Sequence, residues 1–72
     1  MTEEDLVKRI QDLKEGEVYR IVRGRLRDDV WEHLRLKTQV ELTAKVESFC
    51  QEHGFDHEYS GVWNDFRFRL PR

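Results

Sequence analysis

Seventy-two residues, 39% charged and 38% apolar, fit one small domain and carry too many apolar side chains for a disordered tail. A chain this short buries only about 60% of its unfolded surface, so a large enclosed substrate pocket is not expected and homodimer formation is a natural remedy. One cysteine excludes an internal disulfide, no apolar run is long enough to span a bilayer, and the acidic opening MTEEDLVKR is unlike a secretory signal, so a cytoplasmic protein is expected.

The formal net charge of −2 conceals alternating blocks: −3 over residues 1–17, +3 over 18–37, −4 over 38–58 and +2 over 59–72. These blocks track the predicted elements. In the first, Thr2 and Asp5 form a capping-box pattern, and Glu3 and Glu4 suit the positive end of a helix dipole. Leu6, Val7, Ile10 and Leu13 then make one apolar stripe, with Gly16 expected to end the helix. Val18 to Val22 is β-branched and aromatic and predicts a strand.

The next stretch fits two patterns. A turn at Asp28–Asp29 followed by VWEHLRLK makes a hairpin, with Tyr19 and Ile21 sharing a face with Leu34 and Leu36. One long helix over 30–53 also fits, through Trp31, Leu34, Thr38, Leu42, Val46 and Phe49. The hairpin is preferred because Leu34, Leu36, Thr38, Val40 and Leu42 alternate strictly. A helix follows over 39–53, opened by the Thr38–Glu41 capping box, lined by Leu42, Val46, Phe49 and Cys50, and ended by Gly54. The tail predicts a second hairpin: Phe55, His57 and Tyr59 alternate with Asp56, Glu58 and Ser60, and Phe66, Phe68 and Leu70 alternate with Arg67 and Arg69. GVWN at 61–64 supplies its turn, which sets Glu58 opposite Arg67 and Asp56 opposite Arg69. The expected fold is a small single α+β domain of order α-β-β-α-β-β, with two helices packed on one face of an antiparallel sheet.

FCQEHGFDHEY brings one thiol and two imidazoles together, so Cys50, His53 and His57 are candidate metal ligands. A structural zinc site wants four ligands, and the pattern supplies three. A Schellman helix ending explains the same residues with less, Cys50 packing as a buried hydrophobe against Phe55 and His53 sitting in the last turn. Cys50 paired with His53 or His33 would need an exposed cleft and a depressed thiol pKa to act as a nucleophile. Isolated glycines and only two serines, Ser48 and Ser60, offer neither a phosphate-cradling loop nor a nucleophile elbow. No enzyme activity and no cofactor are expected.

Binding is the informative reading. On the expected fold the outer sheet face gathers Arg20, His33, Arg35, Lys37, Arg67 and Arg69 against Asp56 and Glu58, a net +3, with Arg23, Arg25 and Arg27 nearby. That arrangement could hold RNA or single-stranded DNA through its phosphates. The overall acidity and the core-facing direction of Tyr59, Phe66 and Phe68 speak against it. The preferred partner is therefore a protein, bound through Val62 and Trp63 at the hairpin tip with Arg23, Arg35, Arg67 and Arg69. Trp and Arg dominate interface hot spots, although Trp63 has the alternative of folding back over the core edge.

Overall fold

In the computed structural model, which describes residues 1–71, both capping boxes are closed. The Thr2 N–H donates to Asp5 Oδ2 at 3.0 Å and the Asp5 N–H donates to Thr2 Oγ1 at 3.2 Å, opening α1 (Glu3–Gln11). The Thr38 N–H donates to Glu41 Oε1 at 3.2 Å and the Glu41 N–H to Thr38 Oγ1 at 3.1 Å, opening a longer helix over Gln39–His53. These bonds satisfy backbone donors that a helix start otherwise leaves without partners. The first helix ends at Gln11 rather than at Gly16. Gly16, at φ 85°, instead serves a separate turn in which the Glu17 N–H donates to the Lys14 carbonyl at 2.9 Å.

Between the two helices lies β1 (Tyr19–Val22), then a short α2 (Arg23–Arg25) running into a π-helical turn over Leu26–Val30 and a 3-10 turn over Glu32–Leu34. The expected turn at Asp28–Asp29 and second strand over residues 30–37 are therefore absent from the fold. The Trp31 N–H donates to the Leu26 carbonyl at 3.1 Å, a bond spanning five residues. That wider turn brings Leu26, Val30 and Trp31 all into the core, where each is buried. The alternation that suggested a strand does not describe one buried face, since Leu34 and Val40 are exposed while Leu42 is buried. The rival helix over 30–53 fails too: Arg35 adopts a left-handed backbone at φ 52°, and the chain stays open until Thr38.

The longer helix, α3 (Gln39–His53), matches its predicted span. It ends on Gly54 at φ 72°, with the Phe55 N–H donating to the Cys50 carbonyl at 2.9 Å, and Cys50 and Phe55 are both buried. The C-terminal hairpin also forms as predicted, from β2 (Asp56–Ser60) and β3 (Asp65–Arg69), with Glu58 opposite Arg67 and Asp56 opposite Arg69. The third sheet strand is β1, which pairs with β3 by setting Tyr19 opposite Phe68 and Ile21 opposite Phe66. Tyr19 and Ile21 thus find phenylalanines where Leu34 and Leu36 were expected. The three-stranded antiparallel sheet runs β1-β3-β2, completing a small α+β domain whose core cluster takes residues from α1, α3 and the inner sheet face. Among the described residues no helix is long and apolar enough to cross a membrane.

Trp31 joins these layers. It is fully buried, and its ring meets Phe49 of α3 edge-on at 5.6 Å between centroids. Its indole N–H cannot stay unpaired there, and it donates to Glu3 Oε1 of α1 at 2.7 Å. Lys45 of α3 lies 3.3 Å from the same carboxylate oxygen and 5.4 Å from the indole centroid. Burial pushes the Glu3 carboxyl up, but the Trp31 and Lys45 hydrogen bonds, with the charges of Lys45 and His53, outweigh it and hold the group below its ordinary value of 4.5. A depressed carboxyl stabilises the fold above the unfolded value and loses that contribution as pH falls through the folded one. Stability measured by urea denaturation is expected to drop on acidification below pH 4.5, and Glu3→Gln, which keeps an acceptor for Trp31, is expected to flatten that drop. Trp31→Ala is expected to cost about 3–5 kcal/mol in the same measurement at neutral pH.

Candidate functional site

The β2–β3 connection runs through Gly61, Val62, Trp63 and Asn64. Asn64 takes a left-handed backbone at φ 53°, a conformation asparagine tolerates better than most side chains, and accepts a 3.1 Å hydrogen bond from the Tyr59 hydroxyl on its Oδ1. The turn is tied to β1, because the Arg23 N–H donates to the Asn64 carbonyl at 2.7 Å. The Arg23 guanidinium then donates to Gln39 Oε1 at 3.2 Å, at the start of α3. Arg23 therefore fastens the end of β1, the hairpin turn and the α3 N-terminus into one end of the molecule.

That end leaves apolar side chains in water. Val62 is 83% exposed and Trp63 63%, while Val22, beside Arg23, is 53% exposed and Val40, beside Gln39, 78%. Of the two conformations open to Trp63, the ring stands out from the hairpin tip. Single exposed valines are ordinary, but here a Trp stands exposed among three of them at one end of the molecule.

The outer sheet face differs from expectation. Arg20 of β1 and Arg67 and Arg69 of β3 lie on it, as predicted, opposite the core-facing Tyr19, Ile21, Phe66 and Phe68. Arg35 and Lys37 do not, because their segment is the open connection ahead of α3, where both are exposed. His33 lies in the 3-10 turn, and Arg25 and Arg27 in the helical stretch, where Arg25 pairs with Asp29 at 3.6 Å and Arg27 with Asp28 at 2.7 Å.

A residue the sequence reading passed over completes the face. Asp65, the first residue of β3, is only 3% exposed and sits between two arginines. Its Oδ2 accepts from Arg20 Nε at 3.1 Å and from the Arg20 terminal nitrogen at 2.9 Å, and its Oδ1 lies 3.4 Å from Arg67 Nε. Neither Asp65 Oδ1 nor Arg67 Nε finds another partner, so this ion contact is what compensates both. Arg69 meanwhile donates diagonally to Glu58 at 2.6 Å rather than to Asp56 directly opposite. The signal for Asp65 was its place in the alternation, two residues before Arg67 and four before Arg69. With Asp65 included and the 33–37 segment removed, three arginines face the three carboxylates of Asp56, Glu58 and Asp65, and the net +3 disappears.

The thiol and imidazoles are packing groups. Burial, with the Asp56 charge adding to it, pushes the Cys50 thiol up to about 11, so it holds its proton at neutral pH. His53 stacks against Phe55 with centroids 5.6 Å apart and tilts against Phe49 at 4.9 Å. His57 is half-buried on the core side of β2, opposite Phe68. Among the described residues, no three His, Cys, Asp or Glu side chains gather as a metal site.

Compared with protein-family models, curated proteins and solved structures, the chain matches none. The surface geometry alone therefore bears on function. Asp65→Ala removes the carboxylate that separates two guanidiniums, and is expected to cost about 1–3 kcal/mol of folding stability by urea denaturation.

Proposed function

We propose that this protein is a non-enzymatic interaction module of the cytoplasm that docks another protein through its hairpin-tip end, with Trp63 and Val62 as the apolar anchors and Arg23 at their base. The observation that carries this reading is the exposure of Trp63 on a turn that is itself held rigid, by Arg23 to β1 and α3 and by Tyr59 to Asn64. A bulky aromatic presented on a fixed backbone loses little conformational entropy on binding, which is the property of an interface anchor. The neighbouring Val22 and Val40 widen the apolar contact beyond one side chain. A lone free cysteine is ordinary in a reducing compartment.

The reading as an RNA or single-stranded DNA surface rests on the same arginines and has less behind it. Arg20 and Arg67 are engaged by Asp65, and Arg69 by Glu58. Of the strand aromatics, Phe66 and Phe68 are fully buried, while Tyr59, 37% exposed, keeps its ring against Phe66 and its hydroxyl on Asn64.

The test is recovery of a partner from the native host on immobilised protein, with and without nuclease and across a salt series. A protein partner recovered by the unaltered chain, retained after nuclease and at moderate salt, and lost on Trp63→Ala supports the reading. Recovery that disappears on nuclease treatment, falls steeply with salt and is indifferent to Trp63→Ala sinks it.

A further inference from the structure

β2 is an edge of the sheet: its one strand neighbour is β3, and alternate residues direct their N–H and C=O groups away from it. A depression of about 630 Å³ runs along this edge. Its lining takes Phe55, just ahead of the strand, and His57 from the core side, and Asp56 and Glu58 from the outer side. Side chains of both faces can line one hollow only if it follows the strand's edge rather than lying over either face. Its far wall is α3, through Glu47, Cys50 and Gln51. A strand edge beside a helix, with a trough between them, is the geometry in which an extended peptide adds to a sheet.

The charge of the trough selects the occupant. Glu47, Asp56 and Glu58 line it against one cation, Arg69, which already pairs with Glu58. A second depression of about 700 Å³ continues it past the shared Asp56 and Arg69 and adds Glu15 and Glu17 against Lys14. A second copy of this chain is a poor fit, because antiparallel pairing of two β2 strands about Glu58 sets two glutamates opposite each other. We propose that the β2 edge captures an extended, lysine- or arginine-bearing segment of another protein by strand addition, with Asp56 receiving a basic side chain from the outer face of the added strand and Glu47 one from its helix-side face. This surface is separate from the hairpin-tip anchors and independent of them.

The experiment is fluorescence anisotropy with a labelled octapeptide of adjacent lysine pairs between threonines, which puts lysines on both faces of an added strand, mixed with the full chain. Saturable binding is expected, weakened on the order of tenfold by D56K combined with E47K and unchanged by Trp63→Ala. A peptide of the same sequence methylated on alternate backbone nitrogens tests the strand pairing on the unaltered protein, so the answer does not depend on how the variant folds. Loss of binding on methylation supports strand addition. Equal binding of the methylated peptide, equal binding of a threonine–glutamate peptide, or no binding of the lysine peptide overturns it.

Discussion

The fold hangs on the need of one buried indole for a hydrogen-bond acceptor. Trp31 carries the largest apolar surface in the middle of the chain, and its N–H needs a partner once water is gone. Glu3 meets that need from α1, Lys45 of α3 neutralises Glu3, and the ring lies against Phe49. Three segments distant in sequence are thereby committed to one another. The π-helical turn over Leu26–Val30 follows from the same demand, because it lets Leu26, Val30 and Trp31 share the core. Extended backbone there would have sent Val30 and Trp31 to opposite faces.

Much of this was legible in the residues, and where it was not the reason is specific. Thr2 with Asp5 and Thr38 with Glu41 announced both helix starts, because capping is a local bargain between side chain and backbone. The C-terminal hairpin was equally readable from its alternation and its turn residues, down to the opposition of Glu58 with Arg67. Residues 30–37 were not, since Leu34, Thr38 and Leu42 satisfy two periods at once and local pattern cannot choose between them. Trp31 finds its partners far away, Glu3 nearly thirty residues upstream and Phe49 on α3, and no local window along the chain contains them together. The order of strands was hidden for the same reason, as β1 pairs with a strand at the far end of the sequence.

The candidate surfaces follow a similar division. Exposure of Val62 and Trp63 at a turn was half readable, because a tip has little to bury itself against but can fold back; Arg23 and Tyr59 hold the turn so that it does not. The basic sheet face was misread through one omission and one wrong element. Asp65 sits beneath the guanidiniums it neutralises, and Arg35 and Lys37 belong to a loop. Charge tallied by sequence block located the arginines but not their counterions, and whether a cation is available to a ligand is decided by who already holds it.

The sheet order has a consequence for how the molecule comes into being. Its central strand, β3, is the last one in the sequence, and β1 and β2 touch only through it. Until those final residues are present, β1 has no neighbour and β2 no hairpin, so neither half of the sheet exists as a smaller, earlier structure. The β2–β3 hairpin closes locally over its short turn, whereas joining β1 to it carries the entropic expense of closing a loop across most of the chain. Losing a handful of residues from that strand would therefore not trim the domain. It would leave two strands with nothing to bind them and a row of phenylalanines missing from the centre.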